Sequence, residues 1–139
     1  MKTHYESKNG RKFLCFAHVV ITTKYRRHVI NQVALSLLRK SFLRTALSMG
    51  FAIEEIEVEP DHVHLLLRYP PTLALSTMVG RLKGSASHAV RRLRLPAILH
   101  KLWGKAFWTP AYFVVSCGGA PIDILRRYIQ QQAGPLTTS

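Results

Sequence analysis

The chain has 139 residues, which suits one compact domain with a single core and leaves little room for a second domain. Hydrophobic residues make up 47% of the sequence and charged residues 19%, a balance that argues against a disordered chain. The 20 Lys and Arg outnumber the 7 Asp and Glu, giving a formal net charge of +13. This excess favours a polyanionic partner, nucleic acid first, with an anionic membrane surface or an acidic protein face as alternatives.

The first predicted elements are a strand and a helix. Phe13–Thr22 is apolar and β-branched and runs into a basic cluster, which predicts a central strand. Asn31 is a predicted N-cap, and Gly50 is a predicted helix stop. Between them apolar side chains recur at helical spacing, at Leu35, Leu38, Phe42, Ala46 and Met49.

The middle of the chain predicts a hairpin and then a long helix. Phe51–Glu59 alternates between apolar and acidic residues, and the turn Pro60-Asp61 leads into a second strand at His62–Arg68. An apolar stripe then runs from Leu75 to Leu93, and Pro96 is expected to end the helix.

Two more elements complete the predicted fold. Phe107–Ser116 is rich in aromatic and β-branched residues and predicts a fourth strand, and Ile122–Ala133 predicts a C-terminal helix. The order β-α-β-β-α-β with an added helix is typical of a ferredoxin-like (RRM-like) α+β domain, in which helices cover one face of an antiparallel sheet. We expect residues 1–139 to form this one domain, with the other sheet face free for a ligand or a second subunit.

The start of the chain and its cysteines indicate a cytoplasmic protein. Met1–Lys12 is polar and charged, and the longest apolar run, Phe13–Ile21, is short and contains His18. Cys15 and Cys117 lie far apart and match no metal-binding spacing, so both are expected to be reduced and buried.

His62 and His64 are the first candidate functional residues. Strand side chains alternate, so both imidazoles project from one face while Val63 points into the core. Two neutral imidazoles in this position can share a cation. The alternative is a pair of polar residues on a solvated sheet face.

Tyr128 and Gln132 form the second candidate pair. They are four residues apart, so they lie on one face of the predicted C-terminal helix. If that helix packs across the histidine strand, a phenol and an amide join the imidazoles as nucleophile and oxygen ligand. The alternatives are a ring at the border of the core and a solvated amide.

Taken together, these motifs resemble one family over nearly the whole chain: the single-tyrosine HUH transposases of small bacterial and archaeal insertion sequences. Departures at Ala111 and Ser116, where Ser and Thr are expected, lie outside the proposed catalytic set. The resemblance is carried by Pro60-Asp61-His62-Val63-His64-Leu65-Leu66-Leu67, Leu82-Lys83-Gly84, Leu102-Trp103-Gly104 through Trp108, and Tyr128-Ile129 with Gln132.

The resemblance implies a site, a reaction and a partner. His62, His64 and Gln132 are expected to ligate Mg²⁺ or Mn²⁺, and Tyr128 is expected to attack the scissile phosphate, leaving a 5′-phosphotyrosine and a free 3′-hydroxyl. Such a ligand set is incomplete and leaves positions for phosphate oxygens and water. The implied substrate is single-stranded DNA with hairpins at element ends. The implied assembly is a homodimer in which Tyr128 of one subunit serves the histidines of the other.

Further DNA contacts are suggested by basic and aromatic residues. Trp103, Phe107 or Trp108 are candidates to stack on bases, although core packing is an equal alternative. For the basic residues, solvated surface is the alternative. The candidate phosphate contacts are Lys24, Arg26, Arg27, Lys83, Arg91 and Arg92.

Two other functions compete with this hypothesis. A non-catalytic RNA- or DNA-binding module on the same sheet explains the charge but not the pairing of Tyr128 with Gln132. An HUH replication initiator or conjugative relaxase keeps the chemistry, but such proteins often carry extra domains or a second tyrosine.

Overall fold

The computed structural model describes residues 15–94 and 106–118, with side chains through Ser116, and two short N-terminal strands. Those strands, β1 (Glu6–Lys8) and β2 (Arg11–Phe13), pair with each other in antiparallel fashion. Tyr128, Gln132, Trp103 and the predicted helix Ile122–Ala133 lie outside the described residues.

The main body is a four-stranded sheet with two helices. Its strands pair in the order β4-β5-β3-β6, and every neighbouring pair is antiparallel. This is the predicted β-α-β-β-α-β order of a ferredoxin-like α+β fold. The elements are β3 (Cys15–Thr23), α1 (Gln32–Met49), β4 (Ala52–Glu59), β5 (His62–Tyr69), α2 (Leu75–Arg92) and β6 (Trp108–Gly118).

Helix α1 begins and ends where the sequence predicts. The side-chain oxygen of Asn31 accepts a hydrogen bond from the backbone N–H of Ala34 at 2.9 Å, which satisfies an otherwise unpaired donor of the first turn. At the other end Gly50 adopts φ 88°, in the left-handed region, and its N–H donates to Ala46 at 2.9 Å.

Helix α2 ends earlier than the sequence suggests. Met78, Val79, Leu82, Ala86 and Val90 form the buried stripe that was predicted. Leu93 is exposed, however, and Arg94 adopts φ 53°. This left-handed residue stops the helix before Pro96 can do so.

The core fills the space between the two helices and one face of the sheet. Odd-numbered residues of β3 and β5 point into it, among them Val19, Val63 and Leu65, and they meet Leu38 of α1 and Leu82 of α2. Burying each such side chain contributes roughly 1.5–3 kcal/mol. None of the described helices is long and apolar enough to cross a membrane.

The even-numbered residues of β3 and β5 lie on the opposite face of the sheet. In the register of the two strands His64 is opposite Val20, His62 is opposite Thr22, and His18 is opposite Leu66. We expected this face to be free, but its centre is buried at His18, His64 and Leu66. The histidines therefore sit in an environment of low polarity.

Candidate metal centre

His62 and His64 stand side by side at the start of β5. The turn at Pro60-Asp61 sends the chain back along β4, so His62 is the first residue of the strand. The two rings have centroids 4.9 Å apart and meet edge to face. They share one sheet face, as predicted, but they are 1% and 0% exposed. The alternative of two solvated sheet residues is therefore wrong.

The ring of His62 is oriented by Asp61. Its Nδ1 lies 2.7 Å from Asp61 Oδ1, and a carboxylate can only accept, so Nδ1 carries the proton and donates. Asp61 Oδ2 accepts from Arg26 Nε at 3.0 Å. The Nε2 atom of His62 is buried and has no hydrogen-bond partner among the described residues.

The charge on Asp61 is maintained by these two partners. Burial raises the pKa of the Asp61 carboxyl, but hydrogen bonds from His62 and Arg26 and the charges of both outweigh burial and leave the pKa below its usual value. Asp61 is therefore ionised at neutral pH and remains a strong acceptor for His62.

The ring of His64 is oriented by a third histidine, His18, on the neighbouring strand β3. His18 Nε2 lies 3.1 Å from His64 Nδ1, and the two rings are nearly parallel with centroids 5.3 Å apart. The Nε2 atom of His64 is buried and, within residues 15–94 and 106–118, has no hydrogen-bond partner. In both histidines of β5, therefore, Nδ1 makes a hydrogen bond, whereas Nε2 has no partner among the described residues.

Burial keeps His18 and His64 neutral. It lowers the pKa of His18 to about 4, because the charged imidazolium is poorly solvated there. The pKa of His64 is also lowered to about 4, first by burial and then by the nearby His62 and His18. A neutral imidazole keeps a lone pair on one nitrogen, which a metal ligand requires.

The sequence alone did not identify His18 and Asp61 as site residues. His18 is an isolated histidine in an apolar strand, and only the pairing of β3 with β5 brings it to His64. In the sequence Asp61 was interpreted only as part of the turn Pro60-Asp61. Its position directly before the first histidine was a signal, since metal-binding imidazoles usually donate their other N–H to a carboxylate or carbonyl.

The two unpaired Nε2 atoms fit a divalent cation. Buried polar atoms are nearly always hydrogen-bonded, so two neighbouring exceptions require an explanation, and metal ligation is one. In the part of the chain that the structure describes, no three His, Cys, Asp or Glu side chains converge to hold an ion. Any third protein ligand therefore lies outside that part of the chain. Gln132 lies outside the described residues and stays a prediction.

The basic cluster at the end of β3 lies beside this site. Lys24, Tyr25 and Arg26 form a tight turn in which Tyr25 and Arg26 have φ values of 58° and 53°. Tyr25 is exposed, with Lys24 Nζ and the Arg27 guanidinium 5.3 and 4.8 Å from its ring centre. Arg26 holds Asp61, so one of the predicted phosphate contacts already supports the histidine pair.

The basic residues of α2 have mixed environments. Lys83 Nζ donates to the carbonyls of Thr109 and Pro110 at 2.7 and 3.1 Å, fastening α2 to β6. Burial lowers the pKa of Lys83. Arg91 and Arg92 lie in the last turn of α2. Contact of these residues with DNA stays a prediction.

Two of the aromatic residues are part of the core. Phe107 and Trp108 are buried and meet edge to face with centroids 4.6 Å apart. Trp108 Nε1 donates to the Lys83 carbonyl at 3.0 Å. Stacking of Phe107 or Trp108 on bases is therefore wrong for this structure, because neither ring has a free face. Cys15 is a free thiol, as expected, but its side chain is only partly buried, and the side chain of Cys117 lies outside the described residues.

Comparison with known sequences identifies relatives over nearly the whole chain. The family model described as "Transposase IS200 like" matches residues 11–132. The ISDra2 transposase TnpA of Deinococcus radiodurans is 34% identical over 131 residues, 91% of either chain. The transposase for insertion sequence element IS200 of Salmonella typhimurium is 30% identical over 122 residues, 85% of this chain and 76% of that protein.

Two solved transposase structures have a similar fold. The crystal structure of a proposed transposase from Deinococcus radiodurans R1 has a TM-score of 0.72 at 27% identity and covers 94% of this chain and 96% of that one. A REP-associated tyrosine transposase bound to a REP hairpin shares the fold, with a TM-score of 0.56 at 15% identity over 88% of this chain and 68% of that chain. The chain belongs to the IS200-like transposase family.

Proposed function

We propose that this chain is a metal-dependent endonuclease and strand transferase that acts on single-stranded DNA at the ends of an insertion sequence. One observation carries the proposal: two adjacent imidazoles on one sheet face are held by Nδ1 contacts and keep their Nε2 atoms buried and unpaired. This arrangement suits ligation through Nε2. A sheet that only bound nucleic acid would have no need of it.

The ion would be held by His62 and His64, with Gln132 as the third protein ligand. Bound Mg²⁺ or Mn²⁺ would polarise the scissile phosphate and help to position it for in-line attack. For His64 to ligate through Nε2 in its neutral form, Nδ1 must carry the proton and donate it to His18 Nε2. His18 and Asp61 are therefore positioning residues that select the tautomer of each ligand.

Tyr128 is the proposed nucleophile. Its phenolic oxygen bonds to phosphorus while the bond from phosphorus to the 3′-oxygen breaks, giving a 5′-phosphotyrosine and a 3′-hydroxyl. The phenolic proton leaves to solvent or to a base outside the described residues, and the 3′-oxygen takes up a proton. Because a phosphoester is exchanged, attack by another 3′-hydroxyl can rejoin DNA and release Tyr128 without ATP.

The proposed substrate is a DNA strand that folds into a hairpin near the cleavage point. The high positive charge of the chain supports a nucleic-acid substrate. A fold neighbour was solved with a REP hairpin bound, which supports extending hairpin recognition to this chain as part of the proposal. We infer that the protein acts in the cytoplasm, at the nucleoid.

The family resemblance further supports a homodimer that shares its active sites. In this arrangement Tyr128 of one subunit attacks a phosphate held at the histidines of the other. Each site is then incomplete in an isolated chain, which would keep cleavage dependent on assembly.

The nucleophile is tested by a covalent-adduct assay on a denaturing gel. A single-stranded oligonucleotide with a hairpin is incubated with Mn²⁺ and the parent chain, Tyr128→Phe, or the matched control Tyr112→Phe, which alters an exposed tyrosine of β6. We expect no adduct with Tyr128→Phe, an unchanged hairpin Kd, and a normal adduct with Tyr112→Phe. An adduct that persists in Tyr128→Phe would disprove the assignment.

Active-site sharing is tested by mixing two inactive variants of different size. Tyr128→Phe keeps the histidines, and His64→Ala keeps the tyrosine. If the sites are shared, mixed dimers form an adduct, and it appears on the His64→Ala chain. A mixture as inactive as its components, with mixed dimers verified, would show that Tyr128 serves its own chain.

A further inference from the structure

The turn Lys24–Arg27 is fixed to the hairpin that carries the histidine pair. Thr23, directly before the turn, donates its N–H to the Asp61 carbonyl at 2.9 Å and its hydroxyl to the carbonyl of the last turn residue at 2.7 Å. Within the turn, Arg26 Nε donates to the Asp61 carboxylate at 3.0 Å. Only two hydrogen bonds, both to Asp61, therefore separate the turn from the ring of His62.

Tyr25 adopts a backbone conformation that tyrosine rarely takes. Its φ is 58° and its ψ is 22°, and the next residue, Arg26, has φ 53°, so two consecutive residues lie in the left-handed region without a glycine. This region is disfavoured for bulky residues, because Cβ lies too close to the following carbonyl oxygen. Such residues persist where surrounding contacts fix them, and they concentrate at functional sites.

Core packing does not explain the position of the Tyr25 ring. Of the described Phe, Tyr and Trp residues Tyr25 is the most exposed, at 66%. Lys24 Nζ and the Arg27 guanidinium lie 5.3 and 4.8 Å from its ring centre. Contacts between a cation and an exposed ring stabilise a fold only weakly, so they do not account for a disfavoured backbone. The turn thus holds an aromatic ring and two cations at the surface beside the histidine pair.

Arg27 has a buried donor without an acceptor. Its Nη1 atom is shielded from water and has no hydrogen-bond partner among the described residues. Burying a charged donor in this way is unfavourable, because the lost contacts with water are not replaced. A phosphate oxygen is a strong acceptor for a guanidinium group. The unpaired Nη1 therefore points to an anionic ligand at this turn.

The chemistry of the turn fits one unpaired nucleotide. Surfaces that bind single strands combine cations for the phosphates with aromatic rings on which the bases stack. A base within a duplex is covered on both faces by its neighbours, so a protein ring stacks on a base that is unpaired or displaced. An acidic peptide would use the cations but would leave the exposed ring unexplained.

We propose that Tyr25 stacks on the unpaired base next to the scissile phosphate and that Arg27 Nη1 binds a phosphate oxygen of the same strand. This inference rests on the proposed function, because it takes a single strand cleaved at the histidines as the substrate. It makes Tyr25 a positioning residue that contacts the substrate. The hydrogen bonds from Arg26 to Asp61 and from His62 to Asp61 fix the stacking ring relative to the metal ligand.

The fluorescence of 2-aminopurine tests stacking without any cleavage. This base replaces each unpaired nucleotide in turn in a hairpin-bearing single strand, which is bound to the full chain in excess chelator. We expect the parent to quench the probe at one position or at two adjacent ones. Tyr25→Phe keeps the ring and should quench equally, whereas Tyr25→Leu should not quench.

The matched control for this measurement is Tyr112→Leu. Tyr112 is also exposed and also has a lysine near its ring, with Lys83 Nζ 5.6 Å from the ring centre, but it lies on β6. Its loss should leave the quenching unchanged. Quenching that disappears equally in Tyr112→Leu and Tyr25→Leu would overturn the proposal, and so would its loss in Tyr25→Phe, because the hydroxyl would then matter and not the ring.

An abasic nucleotide beside the cleavage point tests whether Tyr25 acts through a base. In the Mn²⁺ adduct assay below saturation, Tyr25→Leu should slow the reaction on the intact strand by about tenfold or more, as expected for one lost stack. The abasic strand should slow the parent by a similar factor. It should slow Tyr25→Leu little further, because both changes remove the same contact. Losses that multiply, or a parent that cleaves every abasic strand at full rate, would overturn the proposal.

The phosphate contact has its own measurement. Arg27→Ala should lower the slope of log K against log salt by about 0.7, the value for one phosphate of a single strand. An unchanged slope would remove Arg27 from the site.

Quenching and adduct formation separate this proposal from the proposed function. If the parent quenches the probe through Tyr25 but forms no adduct on any strand, the stacking site stands and the nuclease proposal fails. If the parent forms the adduct and no position is quenched in a manner that depends on Tyr25, the stacking proposal fails alone.

Discussion

The polar groups on the two sides of the sheet differ in burial and in charge. On the strand face, His18, His62 and His64 are buried, and His18 and His64 are neutral because burial lowers their pKa values to about 4. On the helical side, Arg44 and Arg81 are exposed and charged, and neither α1 nor α2 contains an Asp or Glu.

The difference matches what we propose that each side binds. A metal ligand must give up its proton and keep a fixed lone pair, and burial with one hydrogen bond per ring achieves both. A phosphate contact must stay charged, and exposure to water preserves the charge. In this proposal the sheet separates a catalytic site on one face from a binding surface on the other.

The largest expected effect is a separation of cleavage from binding. His64→Ala should reduce metal-dependent cleavage by more than about 100-fold, the upper end of losses caused by outer-shell changes. Its hairpin Kd should stay near that of the parent, because the exposed arginines of the helical side are intact. Cleavage gels and fluorescence anisotropy on one oligonucleotide measure both quantities. If His64→Ala weakened binding as much as Arg44→Ala/Arg81→Ala, the two sides would not be separable.

A smaller effect is expected from the positioning carboxylate. Asp61→Ala removes the acceptor of His62 and should weaken Mn²⁺ affinity by about 10- to 100-fold. Asp61→Asn keeps an acceptor oxygen without the charge and should fall between Asp61→Ala and the parent. Mn²⁺ titration followed by electron paramagnetic resonance measures the affinity without any turnover.

The matched control for Asp61 is Glu54→Gln on the same hairpin. Glu54 pairs with Arg68 at 2.5 Å, away from the histidines, so its loss should leave Mn²⁺ affinity unchanged. Equal affinities for Asp61→Ala and the parent would show that Asp61 does not orient a ligand.

The smallest expected effect is a dependence of stability on pH in the metal-free protein. The pKa values of His18 and His64 are about 4 in the folded chain against an ordinary 6.5. The unfolded chain therefore binds protons below pH 6.5 that the folded chain does not take up until about pH 4. The free energy of unfolding should fall as the pH drops through this window and level off beneath it.

Urea denaturation in excess chelator measures this slope. His18→Leu removes one of the two groups and should make the decline shallower, whereas His88→Gln, at an exposed position of α2, should leave it unchanged. A stability that does not change between these pH values would contradict the burial of neutral imidazoles.

Much of the fold was predictable because its signals are local. Asn31 and Gly50 mark the ends of α1, and the alternation of side chains along β5 places His62 and His64 on one face, as the structure confirms. The early end of α2 was not predictable. It depends on the left-handed conformation of Arg94, and without a glycine at that position the sequence gives no signal for this conformation.

The site residues that the sequence did not identify depend on contacts between residues that are far apart in the chain. His18 joins His64 only through the register of β3 and β5, which lie 46 positions apart at this contact. Phe107 and Trp108 were candidates for base stacking, because aromatic residues in a basic chain suggest that role. In the structure they fill the core instead.

We propose that His62 and His64 together bind a divalent ion through Nε2. Electron spin echo spectroscopy of Mn²⁺ added to the full chain tests it most directly, because the nitrogen couplings count the imidazoles on the ion. We expect couplings from two imidazoles in the parent, one in His62→Ala or His64→Ala, and two in His88→Gln. Tight Mn²⁺ binding without nitrogen coupling, or with couplings unchanged in both alanine variants, would contradict it.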